Sequence, residues 1–203
     1  MKLNKRIKYV IILFILLLLT FPIYFGVFLD FFLVGEFNLI MVLIILFGYL
    51  ILFIIGKINE IYGYNSKIIG IMEKHDVINS FIRDDNKLRR WLGFLVIMII
   101  EELIFRYYLI GILFYQLSLE WLIAILISSL IFAVYHFHTW FSYKNLRIVS
   151  IFLLYSFCLG LYTGYLLFTL GIISCIFAHY SLAIISYYGI YCRYFKKSRI
   201  DGG

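Results

Sequence analysis

"IIEELIFRYYLIG", residues 99–111, holds two adjacent glutamates and one arginine inside a long apolar run. A charge at the centre of a bilayer costs about 2.5–3.5 kcal/mol on insertion scales. Whether this run is a membrane helix decides the fold, and the composition around it answers. The chain has 203 residues, 65% hydrophobic and 14% charged, with a mean hydropathy of +1.02. A soluble domain carries about 25% charged and 45–50% apolar residues. The composition implies a polytopic membrane protein, and the length suits a single membrane domain over 1–203.

About 20 apolar residues span a bilayer core. On that rule six spans are expected, at roughly 7–29, 39–56, 91–118, 120–141, 148–169 and 171–195. The run from Ile7 to Leu29 exceeds the roughly 7–15 residues of a signal-peptide core, so it is read as a retained first span. It carries the only proline, Pro22, which is expected to kink or shorten it. Very short connections predict antiparallel hairpins for spans three and four and for spans five and six. The expected fold is therefore an all-α, polytopic membrane helix bundle with about six transmembrane spans. A cytoplasmic loop over 57–90 mixes charges with Ile68, Ile69, Ile71, Met72, Val77, Ile78, Phe81 and Ile82, a pattern that suits interfacial amphipathic helices.

The net charge is +7. Its distribution reads as topology rather than as a nucleic-acid footprint, and no nucleic acid is expected as a partner. Every Lys and Arg except Arg106 falls on one side of the six-span arrangement: at the N-terminus, in the 57–90 loop, at Lys144 and Arg147, and at the C-terminal end. The other side has only Asp30, Glu36 and Glu120. Positive-inside bias then places a multi-pass protein in the cell membrane with both termini cytoplasmic. Cys158, Cys175 and Cys192 are far apart in apolar segments and read as small buried hydrophobes, with neither a disulfide framework nor a zinc ribbon.

Glu102 and Arg106 are four residues apart on one helix face, in the favourable order for an ion pair. Glu101 lies about 100° away and has no local cation. An unpaired carboxylate in a low dielectric suits a general acid or base. In span four His136 follows Phe132 by one turn, while His138 is expected on the opposite face, nearer the interface. In span six His179 sits eight residues in from Gly171. At ~1.5 Å per residue and a ~30 Å core, Glu101, His136 and His179 fall at about 15, 8 and 18 Å from the cytoplasmic face. Each histidine alone reads as a packed side chain bonded to a neighbouring helix. Together with a spare carboxylate, in one depth band, they point to a functional site.

Three chemistries fit that set. A carboxylate and two imidazoles can activate water and hold an oxyanion, as peptide hydrolysis requires. They can ligate zinc as a two-His, one-Glu set. They can relay protons in a transporter. The sequence has no H-E-x-x-H, no G-x-S-x-G and no aspartate within a span, so other intramembrane protease designs do not apply.

The ordered motifs resemble a known family. Span three reads E-E-x-x-x-R (Glu101, Glu102, Arg106), span four reads F-x-x-x-H (Phe132, His136), and "FCLGLYTGYLLFTLGIISCIFAHY" is a Gly-rich segment leading to His179. Over about residues 90–185 this resembles the CPBP family: type II CAAX prenyl proteases and bacteriocin-processing or immunity proteins, also called Abi. The resemblance implies a glutamate-dependent intramembrane endopeptidase. Glu101 would activate water, assisted by His136, and His179 would help to stabilise the oxyanion. Glu102, Arg106 and Phe132 would support the site. It implies a mechanism without an obligatory metal, with zinc at Glu101, His136 and His179 as the alternative. The implied partners are membrane lipids and a membrane-associated peptide or prenylated protein. The family's last motif usually has Asn or Asp four residues after the histidine, where this chain has Ala183. Alanine donates no side-chain hydrogen bond, and one lost oxyanion donor costs ~10²–10³ in rate. Ser181 lies on another face. Two other functions stay open: a proteolytically weak or inactive relative acting in bacteriocin or peptide immunity, and a proton-coupled transporter.

Overall fold

The computed structural model describes residues 5–32, 38–63, 70, 78 and 87–196, and every regular element among them is helical. Helix α1 (Lys5–Tyr24) ends two residues after Pro22, which accepts the amides of Phe25 and Val27 in the turn that follows. The helix stops before the expected end at Leu29, closed by Gly26, whose φ is +88° and whose amide donates to the Ile23 carbonyl. Helix α2 (Leu39–Ile58) starts where Asn38 Oδ1 accepts the Met41 amide at 2.9 Å, and it continues as a π turn over Asn59–Gly63. Helix α3 (Lys87–Glu102) widens into π geometry over Leu103–Ile110 and Ile112–Gln116. Helix α4 (Trp121–Tyr135) tightens into a 3-10 turn over His136–His138 and passes into the short α5 (Thr139–Tyr143). Helix α6 (Leu146–Leu170) is capped by the Asn145 side chain. Gly171 alone separates it from α7 (Ile172–Tyr191).

That single-residue connection requires glycine. Its φ is +82°, and a Cβ would stand 2.7 Å from the Phe32 carbonyl oxygen. Close approach also sets the α4–α6 contact. Gly160 and Gly164 form a G-x-x-x-G pair, and a Cβ on either would lie 2.9 Å from Ser129 Cβ or 2.8 Å from Ile125 Cγ2. Small residues at this spacing let two membrane helices touch backbone to backbone.

Among the described residues four helices are both long and apolar enough to cross a membrane: Leu39–Gly63, Trp121–Tyr143, Leu146–Leu170 and Ile172–Tyr194. The protein is therefore a multi-pass, all-helical membrane protein. Two expected spans differ from these. The apolar stretch of α1 is Val10–Tyr24, and α3 carries Glu101, Glu102 and Arg106. Helices α1 and α2 are tied to the rest by tyrosines. Tyr107 donates to the Val27 carbonyl at 2.7 Å, Tyr108 to that of Leu19, and Tyr162 to that of Ile45 at 3.0 Å.

Most of the expected interfacial loop lies outside the described residues. Its Ile78 is described and is buried with Ile148 and Ile190. The cysteines are all free thiols; Cys175 is buried and the other two are half-buried.

Candidate active site

The site begins where α3 changes geometry. Glu101 and Glu102 end its regular part, and Arg106 lies in the first π stretch. Glu102 and Arg106 are fully buried, with Arg106 Nε 3.4 Å from Glu102 Oε2. The same Nε donates to Thr163 Oγ1 on α6 at 2.6 Å, and Nη1 donates to Ser128 Oγ on α4 at 3.2 Å. The guanidinium stacks 4.4 Å from the centre of the Phe132 ring. One arginine thus joins three helices, with its charge met by one carboxylate and one aromatic face.

Glu102 has a second task. Its Oε1 accepts from His179 Nδ1 at 2.7 Å. A carboxylate that only accepts forces the proton onto Nδ1, which fixes the ring's orientation and directs Nε2 the other way. That Nε2 lies 4.0 Å from Glu101 Oε2, beyond hydrogen-bond reach. Glu101 is 6% exposed, and its Oε2 has no hydrogen-bond partner among the described residues. Glu102 Oε2 and Arg106 Nη2 also lack one, but Glu102 Oε2 is ion-paired with the Arg106 guanidinium through Nε. A buried oxygen left without a partner is costly, and such groups mark catalytic positions or sites that hold water.

The 3-10 turn at the end of α4 sets His136. It leaves the Phe132 carbonyl free to accept from the ring, at 2.9 Å from Nδ1. A carbonyl cannot donate, so Nδ1 carries the proton and Nε2 of the neutral ring keeps its lone pair. Phe132 is fully buried and meets both histidines edge-on, with ring centres 4.7 Å from His136 and 5.6 Å from His179. Both histidines line one cavity of about 100 Å³ that runs between α2, α3, α6 and α7, with Ala183 on its wall.

All six residues expected from the sequence are gathered here. Glu101, Glu102, Arg106, Phe132 and His179 are joined by direct contacts, and His136 joins through Phe132 and the shared pocket. Among the described hydrogen bonds and ion pairs none links Glu101 to His136. Among the described residues no group of three His, Cys, Asp or Glu is gathered closely enough to hold a metal ion. Glu101, His136 and His179 therefore do not present the zinc geometry, whose ligand bonds are about 2.0–2.2 Å.

His138 is exposed and does not line the pocket; its ring centre is 5.9 Å from that of His136 in the 3-10 turn. Sequence reading missed Ser128 and Thr163, the partners of Arg106. Thr163 lies inside the G-x-x-x-G pair at the tightest helix contact, and that was the available signal. Ser181 does point elsewhere, toward Tyr49 Oη at 2.7 Å.

Residues 87–185 match the family model described as Type II CAAX prenyl endopeptidase Rce1-like. No curated protein and no solved structure matches the chain. The matched stretch opens with α3 and closes within α7, so it contains every residue of the cluster. Over residues 87–185, just under half of its length, this chain is similar to the Rce1-like family of type II CAAX prenyl endopeptidases.

Proposed function

We propose that the protein is a membrane-embedded endopeptidase in which Glu101 activates water against a peptide bond. The observation that carries this is the contrast between neighbours: Glu102 is held by Arg106 and His179, while the buried Glu101 Oε2 has no hydrogen bond. Glu101 removes a proton from water as the oxygen attacks the carbonyl carbon, then returns that proton to the leaving amine. His136, with its Nε2 lone pair toward the pocket, helps to orient the water. His179 donates to the oxyanion in the form that carries protons on both nitrogens. The Glu102 carboxylate at Nδ1 is the counter-charge of that form.

The substrate class is a membrane-associated or prenylated peptide. The family's description and the pocket walls, which include Phe94, Met98, Ile151 and Leu159, support it. In this reading all six long helices cross the membrane, α3 included, because its charges are neutralised inside the bundle. Both termini are cytoplasmic, by the Lys and Arg distribution.

The direct test is cleavage of an internally quenched farnesylated peptide by the reconstituted protein. Glu101→Gln is expected to lower the rate by ~10²–10⁴. An unchanged rate contradicts the assignment. A second reading rests on Ala183, which puts a methyl group where family members carry a donor: a slow or inactive relative that binds a peptide, as in immunity to a bacteriocin. A rate gain of ~10² in Ala183→Asn would favour it.

A further inference from the structure

The wall of the pocket holds a hydroxyl that no other group among the described residues uses. The buried serine and threonine side chains are Ser128, Ser129, Thr139, Ser156 and Thr163. Four of them are committed to carbonyl oxygens: Ser128 to Phe105, Ser129 to Ile125, Thr139 to His136 and Thr163 to Leu159. Such bonding is the usual fate of a hydroxyl in a helix. Ser156 is 3% exposed, lines the pocket with both histidines, and has no hydrogen bond among the described residues.

Its position follows from the register of α6 and α7. Cys175 Sγ donates to the Thr163 carbonyl at 3.0 Å, and Tyr155 Oη pairs with Ser186 Oγ at 3.1 Å. The helices are antiparallel, and interpolation between these contacts sets Ser156 within about one turn of Ala183, with both residues lining the pocket. Ala183 is one turn, about 6 Å, beyond His179. Ser156 is also two turns from Thr163, on the same face of α6 that meets Arg106. The face that steadies the arginine therefore carries, two turns on, a hydroxyl that lines the same pocket as Ala183 and has no hydrogen bond among the described residues.

We propose that Ser156 is the side-chain donor to the substrate carbonyl in this protein, supplying from α6 the hydrogen bond that Ala183 cannot supply from α7. The inference rests on the peptidase reading and deepens it. Ser156 Oγ–H donates to the carbonyl oxygen and strengthens that bond as the oxygen gains charge; it forms no covalent bond and gives up no proton.

The test is a double-mutant cycle in liposomes with the internally quenched farnesylated peptide. Ser156→Ala is expected to lower kcat by ~10², with KM within about threefold, because the lost bond acts mainly in the transition state. Ser156→Thr keeps the hydroxyl and keeps the rate within about tenfold. Ala183→Asn changes the otherwise native protein by less than about threefold but restores most of the loss in Ser156→Ala, since one donor replaces the other. Ser156→Ala at the native rate overturns the inference, and so does an equal gain from Ala183→Asn in both backgrounds. If Glu101→Gln is silent while Ser156→Ala cleaves normally, only this inference falls. If the native protein does not cleave, or Glu101→Gln cleaves equally well, the peptidase reading falls and takes the inference with it.

Discussion

Helix α2 and the run from Glu101 to Gln116 on α3 belong to one bundle, but they treat charge and backbone differently. Helix α2 is regular α-helix from Leu39 to Ile58 and exposes Leu43, Leu46, Phe47 and Leu50. The α3 run is widened into π geometry and buries Glu102, Arg106, Tyr107 and Ile110 completely. Lipid tolerates only backbone whose hydrogen bonds close within the helix, so irregular backbone at membrane depth is confined to protein interiors. Single π turns inside helices often mark functional positions. The difference teaches that α1 and α2 shield a central unit of α3, α4, α6 and α7, where charge and irregular backbone are affordable.

Substitutions can break or sharpen this contrast. The largest effect is expected from Arg106→Leu. It leaves Glu102 buried without its cation, which costs about 3–5 kcal/mol. Loss of the monodisperse folded species in detergent would show it, and a protein that still melts near the native temperature would contradict the account. Gly160→Leu comes next, since its Cβ meets Ser129 at 2.9 Å and the Ser129 backbone at 3.0 Å. Overpacking of that kind costs about 1–3 kcal/mol, read from thermal melts. Thr163→Val removes the acceptor of Arg106 Nε and should cost about 1–3 kcal/mol. Phe47→Leu on α2 should stay within about 0.5 kcal/mol, because Phe47 is 64% exposed to the lipid side. If Phe47→Leu melts as far below the native protein as Thr163→Val does, the contrast between the two regions is lost.

Much of the cluster was legible because ionisable residues are rare in apolar spans. Glu101, Glu102, Arg106, His136 and His179 stand out on cost alone, and their spacing separates the paired glutamate from the unpaired one. The identity of the partners was not legible. Helical hydroxyls ordinarily bond back to their own carbonyls, so nothing in the residue types distinguishes Ser128, which reaches across to α3, from Ser129, which does not. Periodicity assumes 3.6 residues per turn throughout, so it cannot foresee the π stretch after Glu102 or the 3-10 turn at His136. The helix end at Gly171 was legible, where one residue's geometry decides, whereas the closure of α1 at Gly26 was not, and the task of Glu102 was only half visible. Its bond to Arg106 is local, whereas its bond to His179 spans 77 residues of sequence.

The central claim is that two adjacent carboxylates have divided roles, Glu102 structural and Glu101 chemical. The most direct measurement is the melting temperature of Glu101→Gln beside that of Glu102→Gln, taken on samples assayed for peptide cleavage. The account predicts that Glu101→Gln melts at or above the native temperature while cleavage is lost. Glu102→Gln should fall by several degrees, at about 2–4 °C per kcal/mol for a chain of this length. Equal falls in melting temperature for the two variants, or cleavage surviving in Glu101→Gln, would contradict it.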